Sequence, residues 1–461
     1  MSPVTIAFLI ILVMTVAGYF IGKSRALHAA GATNERLHSL PSQHAAYLAL
    51  WVGIPGIMLL LVWLLLQETT IQNIVFAAIP GTLTDGLTDA QRALLISEIV
   101  NVHHGRVFQA PRPEVVEGAR HYGALVSTAG TALIAAIVAI CCAGMSWGWS
   151  RIKVHFRARH GVERIMSGFM ILCSMIAIFT TIGIVLSLVF ETIRFFQMVP
   201  VHEFLFGLRW EPQIALRADQ VAGQGAFGAV PVFTGTLLIA TISLCVAVPI
   251  GLFAAIYLVE FADDRVRNVV KPAMELLAGI PTVVYGFFAV LVVSPVLVQA
   301  GGAVGLDLPP TLSLVAGLVM GIMIIPFISS MSDDAITAVP RSLKDGSLAM
   351  GATKGETITK VLLPAALPGI VGGVLLAASK TLGETMIVVM AAGLIANLTF
   401  NPLEGVTTVT VQIVAMLTGD TEFDNPKTLS GFALGFVLFL ATLMLNIAAL
   451  SIVRKYREQY D

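Results

Sequence analysis

Apolar residues in this chain come in long unbroken runs, not in the strict alternation of a half-buried strand. Nine such runs stand out, at 3–22, 45–66, 122–149, 165–190, 232–259, 276–299, 311–331, 365–396 and 430–453. A helix needs about 20 apolar residues to cross a bilayer, so each run is a candidate span. Backbone polar groups have no water to bond with inside lipid, and continuous runs satisfy them only as helices. The pattern therefore predicts an all-α integral membrane protein, a polytopic helical bundle with about nine transmembrane helices. The first run has no basic stretch before it and is long enough to span, so it is expected to be a retained helix, not a cleaved signal.

Composition agrees with that picture and narrows it. Hydrophobic residues make up 57% of the 461 positions and charged residues 12%, about half the charged share of an average soluble protein. The formal net charge of −1 leaves no basic excess for nucleic acid, so no nucleic-acid partner is expected. Membrane lipid is the expected surroundings. Cys141, Cys142, Cys173 and Cys245 all sit inside apolar runs without metal or redox spacing, and are expected to be small core residues. No metal site and no catalytic residue is assigned.

The position of the charges carries more than their sum. The stretches 23–44, 150–164, 260–275, 332–364 and the C-terminal tail hold 18 of the 27 Lys and Arg. Positive residues stay on the cytoplasmic side, so these stretches are expected inside, with the N-terminus outside and the tail Arg454-Lys455-Tyr456-Arg457 in the cytoplasm. The opposite stretches are poorer in cations and include the acids Asp420, Glu422 and Asp424. Two of them, 67–121 and 191–231, are long enough to dock a partner or to be plain solvated linkers. No internal repeat and no low-complexity tract is present.

A transporter needs an energy source, yet the chain lacks GxxxxGK[ST], the loop whose amides cradle nucleotide phosphates. ATP hydrolysis is therefore not expected here. The cation-rich stretch 332–364 is predicted to hold a short helix over 341–350 with Leu343 and Met350 on one side, a stop at Gly351, and a second short helix over 355–362.

Within it, Asp345-Gly346-Ser347, then Gly351-Ala352, then Val361-Leu362-Leu363-Pro364 resembles the EAA loop of ABC importer permeases. Asp345 stands for Glu and Gly346-Ser347 for Ala-Ala, while Gly351, Leu363 and Pro364 keep the pattern. Three further strings, Phe227-Gly-Ala-Val-Pro231-Val-Phe-Thr-Gly235-Thr, Glu275-Leu-Leu-Ala-Gly279-Ile-Pro281-Thr-Val-Val-Tyr285-Gly286 and Leu382-Gly383-Glu384-Thr385-Met386, resemble the phosphate permeases of the high-affinity importer, the PstC type in particular. The resemblance covers roughly 165–455. It implies a six-helix type I importer core over 151–461, with 341–364 as the coupling loop. Residues 1–150 would be a three-helix extension like that of the longer members. It also implies a homologous second permease subunit, a cytoplasmic ATPase that handles ATP and Mg²⁺, a periplasmic phosphate-binding protein, and the cytoplasmic (inner) membrane as location. No cofactor is expected on this chain.

Charge inside the membrane points to the path itself. Lys380 and Glu384 lie four apart within the run 365–396, and helical spacing would put them on one face. Each costs about 2.5–3.5 kcal/mol at a helix centre on insertion scales, so compensation is required. They are either a structural ion pair or a site in which Lys380 attracts an oxyanion and Glu384 holds it in place; Thr385 joins the candidate path. The resemblance implies that Arg usually stands at 380. Gly369, Gly372, Gly373, Ala377, Ala378 and Ser379 line the same run, either for close packing or for sliding between two states. Gly279-Ile-Pro281, Pro326 and Gly383 are either packing features or hinges. The expected function is phosphate import by alternating access. Import of another oxyanion such as sulfate or molybdate, ion-coupled secondary transport, and a non-transporting scaffold or sensor stand as alternatives.

Overall fold

The computed structural model describes residues 2–33, 37–79, 88–106, 112–213, 225–418 and 425–456. The acids Asp420, Glu422 and Asp424 and the tail residue Arg457 lie outside the described residues. Among the described residues, nine helices are long and apolar enough to cross a membrane. Two compact units divide at Phe179/Thr180, inside one long helix, whereas the sequence expectation put the boundary at 150/151.

The first unit contains α1 (Pro3–Thr33), α2 (Pro41–Ala78), α3 (Asp89–His103) and α4 (Pro113–Arg151). Its core is Ala7, Ile11, Val52, Leu133, Ile137 and Cys141. The helices approach closely where side chains vanish: a Cβ at Gly144 of α4 would overlap the Trp51 carbonyl of α2. α3 occupies the middle of the long stretch 67–121. Thr88 caps it by accepting a hydrogen bond from the Gln91 amide, and Gln91 returns one to the Thr88 amide, which satisfies two donors that a helix start leaves open.

Helix α5 (Ala158–Met198) runs from the first unit into the second. The second unit continues with α6 (Val201–Phe206), a two-residue hairpin of β1 (Trp210–Glu211) and β2 (Ala226–Phe227), and α7 (Val230–Ile256). α7 is prolonged by a π-helical turn at Tyr257–Phe261. Then come α8 (Asp264–Ala278), α9 (Thr282–Phe288), a second π turn at Ala289–Val293, α10 (Ser294–Ala303) and α11 (Ser313–Thr337). α12 (Arg341–Ala349), α13 (Lys354–Thr357), a third π turn at Ile358–Leu362 and α14 (Leu363–Leu382) follow, and α15 (Met386–Ala391), α16 (Val409–Leu417) and α17 (Pro426–Tyr456) complete the chain. The core of this unit is built on α11, with Val315, Val319, Met320 and Ile324 packed against Ile239 of α7 and Ile387 of α15.

Several expectations change. The run 365–396 is not one span: the continuous helical stretch is Lys354–Leu382, and the chain breaks at Gly383 before starting α15. The expected second short helix at 355–362 is not separate either, because α13 leads through its π turn straight into α14. The span expected to begin at 276 begins at Thr282, after an amphipathic α8 with no buried residue. Cys141 is a core residue as expected, but Cys142, Cys173 and Cys245 are exposed. Spanning helices turn apolar side chains to lipid as well as to the core, so hydrophobicity alone does not mark the inside. The glycine run on α14 is a packing surface. A Cβ at Gly373 would lie 2.8 Å from Met331 Cβ of α11, one at Gly369 would lie 2.7 Å from Ala335 Cβ, and one at Gly372 would overlap Val453 of α17.

Candidate translocation site and coupling surface

Two places in the second unit gather the residues singled out by the sequence. One is the break after α14, and the other is the end of the unit where α7 finishes, α8 lies and α12 projects.

At the break, the chain unwinds with short bonds. Gly383 N–H donates to the Lys380 carbonyl (3.2 Å) and Glu384 N–H to the Thr381 carbonyl (3.2 Å). Glu384 is thus beyond the helix, and its carboxylate accepts from the Met386 amide at 3.1 Å. It satisfies an N–H at the start of α15 that would otherwise be open. The expectation that Lys380 and Glu384 share a helical face therefore fails, because the helix that would align them stops between them. Lys380 sits in the last turn of α14 and is exposed, and its ammonium lies 5.3 Å from the Phe327 ring centroid of α11. A cation over a ring face gains attraction from the ring quadrupole without losing its charge. Among the described residues no ion pair joins Lys380 to Glu384. Thr385, half-buried, precedes α15 and accepts from the Val389 amide through its carbonyl (2.9 Å).

A second break lies at Gly279–Pro281. Gly279 ends α8 and Pro281 precedes α9, and the Tyr285 hydroxyl donates back across the gap to the Leu277 carbonyl at 2.9 Å. Both breaks thus lead into short helices, α9 and α15, which pack on each other through Gly286: a Cβ there would come within 2.6 Å of Met390 Sδ and 3.3 Å of the Met386 carbonyl.

α16 ties both ends of the 384–394 segment that follows the break. The Thr410 hydroxyl donates to the Glu384 carbonyl (2.9 Å), and the Gln412 amide donates to the Leu394 carbonyl (3.0 Å). The Val409 amide donates to Thr236 Oγ1 of α7 (3.0 Å). Gly235 makes that approach feasible, since a Cβ there would overlap the Thr407 carbonyl oxygen.

At the other end, α12 stands out as a knob. Asp345, Gly346 and Gly351 are exposed, Ser347 and Ala352 half-buried. Gly351 has φ +90 in open space, a conformation that costs other residues strain and lets the chain reverse there. Met350, expected beside Leu343 on one helix face, follows the end of the helix and is 89% exposed. Ser347 Oγ pairs with Thr357 Oγ1 at 2.9 Å, and the Thr353–Glu356 capping box starts the next helix. Leu363 and Pro364 follow the π turn directly, and that irregular turn sits where the N–H missing at Pro364 interrupts the helix ladder. Lys344 pairs at 2.6 Å with Glu260, on the π turn of α7. Buried Asp333 of α11 receives Arg267 (3.0 Å) and Lys271 (2.5 Å) of α8. The knob is thereby held to three spanning helices: through Glu260 to α7, through the short Ala338–Pro340 link to α11, and through Thr357 to α14.

Comparison with known proteins now bears on these elements. Residues 8–180 match a family model described as a phosphate ATP-binding cassette transporter, and residues 247–458 match one described as a binding-protein-dependent transport system inner membrane component. The chain is 33% identical over 272 residues to the phosphate transport system permease protein PstC of Xylella fastidiosa, covering 56% of this chain and 80% of that protein. It is 34% identical over 249 residues to PstC 1 of Mycobacterium tuberculosis (50% and 73%), and 33% identical over 275 residues to the probable ABC transporter permease protein YqgH of Bacillus subtilis (59% and 84%). It belongs to the PstC-type ABC permeases. A bacterial alginate ABC transporter, solved with a periplasmic protein bound to an alginate pentasaccharide, aligns with 65% of this chain and 97% of its own at 17% identity and a TM-score of 0.44.

As a PstC-type permease the chain is a multi-pass membrane transport subunit. The sequence motifs of this permease contain the knob and the residues at both breaks, Gly279, Pro281 and Gly383, which the sequence left open between packing features and hinges, but not what holds them. Asp333, Glu260, Thr410 and Gln412 carry no motif, and the partners that tie them to other elements lie 18 to 202 residues away, beside nearer bonds between Thr337 and Asp333, Thr408 and Thr410, and Gln412 and Thr407. Only the polarity of Asp333 and Gln412 next to apolar runs could have marked them.

Proposed function

We propose that this permease forms, with a homologous second permease subunit, the membrane path of an ATP-driven importer of inorganic phosphate. The observation that carries the reading is the Lys380 ammonium at the end of α14, beside a helix break and in no ion pair among the described residues. A cation not neutralised by Glu384 offers an oxyanion an electrostatic well, and the break lets neighbouring backbone change shape with little loss of helix bonds. Glu384 shapes the site by holding the start of α15.

The knob of α12, with Asp345, Gly346, Ser347, Gly351 and Ala352 at its surface and Leu363-Pro364 at its base, is the surface for a cytoplasmic ATPase. ATP and Mg²⁺ belong to that subunit. The cation-rich end is cytoplasmic, the N-terminus lies outside, and a phosphate-binding protein delivers at the outer end. Alternating access requires the ATPase to bind one arrangement of the permease better than the other; Gly279, Pro281 and Gly383 are the places where the backbone would bend. The 1–150 extension is an accessory to the core over 151–461.

Uptake of radiolabelled phosphate into proteoliposomes holding the whole complex tests this. ATP-dependent uptake that excess sulfate and molybdate leave unchanged is expected. Uptake driven by an ion gradient in this chain alone, or suppressed by sulfate at equal concentration, would overturn it.

A further inference from the structure

Outside the two sites already described, the buried side chain of Gln412 stands apart, because it ties its own segment to two others, at Trp210 and at Leu394. Its carbonyl oxygen accepts from the Trp210 indole N–H at 2.9 Å, and its amide donates to the Leu394 carbonyl at 3.0 Å and to Thr407 Oγ1 at 3.1 Å. Gln412 is 5% exposed and Trp210 likewise 5%, so both side chains are largely withdrawn from solvent. Losing one partner would leave a buried polar group open, which costs more than the bond itself contributes.

The three partners differ in kind. Trp210 lies on the β1–β2 hairpin at the end of the unit opposite the knob, and its ring packs edge-on against Phe227 and Phe204. Leu394 follows α15, the short helix after the Gly383 break. Two residues earlier on α16, Thr410 holds the Glu384 carbonyl at the near side of that same break. The first turn of α16 therefore grips both ends of the 384–394 segment, and through Gln412 it grips the hairpin as well. A displacement of the hairpin has a direct hydrogen-bonded route to the break beside Lys380.

We propose that Gln412 and Trp210 are positioning residues that relay engagement of the binding protein at the hairpin end to the Gly383 break. The proposal rests on the import reading above and deepens it: the relay touches neither anion nor nucleotide, and acts by setting where the 384–394 segment sits. A relay needs an element with two arrangements that the partner biases, and the break, where helix hydrogen bonds are already given up, is that element.

The test uses the reconstituted complex and reads ATPase activity with and without phosphate-loaded binding protein. Trp210→Phe keeps the ring and removes only the indole N–H. Basal ATPase is expected to stay at the wild-type level while stimulation by the binding protein falls about fivefold, the scale of one net hydrogen bond. Gln412→Met breaks the relay on both sides and is expected to lower stimulation further. The double variant Trp210→Phe/Gln412→Met is expected to be no worse than Gln412→Met alone, since both changes cut one chain of bonds. Stimulation kept in Trp210→Phe, an equal fall in basal and stimulated rates, or fully multiplicative losses in the double variant would overturn the relay. Wild-type complex that phosphate-loaded binding protein does not stimulate would instead overturn the import reading, and the relay with it.

Discussion

Gly286 and Met390 meet where two broken helices pack, and the absent side chain at 286 is what lets them meet. A Cβ at that position would lie 2.6 Å from the Met390 sulfur. Methionine is flexible enough to give way to a methyl group, so Gly286→Ala is expected to keep assembly and most uptake. Gly286→Leu adds three carbons beyond the Cβ that already lies 3.3 Å from the Met386 carbonyl, and overpacking of this sort costs about 1–3 kcal/mol. Thermal unfolding in detergent should show a lowered midpoint for Leu and a near-normal one for Ala.

Asp333 supports two cations at the end of α8. Its side chain is only 6% exposed, and its partners Arg267 and Lys271 are about one third exposed. Removing a buried partner of an ion pair costs about 3–5 kcal/mol in full burial, and solvent access to the cations brings the expected loss for Asp333→Asn to about 2 kcal/mol. The double variant Arg267→Gln/Lys271→Gln strands the carboxylate and is expected to be worse. Yield of folded protein and the unfolding midpoint check both.

Gly351 has the left-handed backbone that turns the knob back toward the membrane. Gly351→Val strains it by about 1–2 kcal/mol. The expected outcome is a complex that assembles but in which binding protein no longer stimulates ATP hydrolysis. Met350→Glu puts a charge on the most exposed apolar side chain of the knob and should weaken capture of the ATPase, read as loss of co-purification.

Glu384 caps the start of α15 through the Met386 amide. Gln retains an acceptor oxygen, so Glu384→Gln is expected to keep folding and to change uptake far less than Glu384→Leu, which opens the amide at about 1 kcal/mol. Uptake by the two variants, normalised to assembled complex, distinguishes this cap from an ion pair with Lys380, which both changes would abolish alike.

Much of this architecture is legible in the chain. Nine apolar runs correspond to nine spanning helices among the described residues, because length and continuity are what a bilayer demands. The motif strings around Gly235, Gly279, Gly286, Gly351 and Gly383 also fall at close approaches or backbone breaks, and at Gly235, Gly286 and Gly351 the approach or the positive φ requires glycine. What could not be read is how apolar segments end. Met386–Ala391 is as hydrophobic as the helix before it, so a two-residue break at Gly383-Glu384 leaves no trace in hydropathy, and the spacing of Lys380 and Glu384 misled for that reason. The Asp333 triad and the Trp210–Gln412 bond join residues 62 to 202 positions apart, and only folding brings such groups together.

Lys380 decides the account. Proteoliposomes holding the complete complex, loaded with ATP and given phosphate-bound binding protein outside, measure it directly as initial phosphate uptake. Lys380→Ala is expected to assemble normally and lose nearly all uptake, while Lys380→Arg, which keeps the cation, retains it. Wild-type uptake by the Lys380→Ala complex would contradict the claim that this cation draws the anion into the membrane.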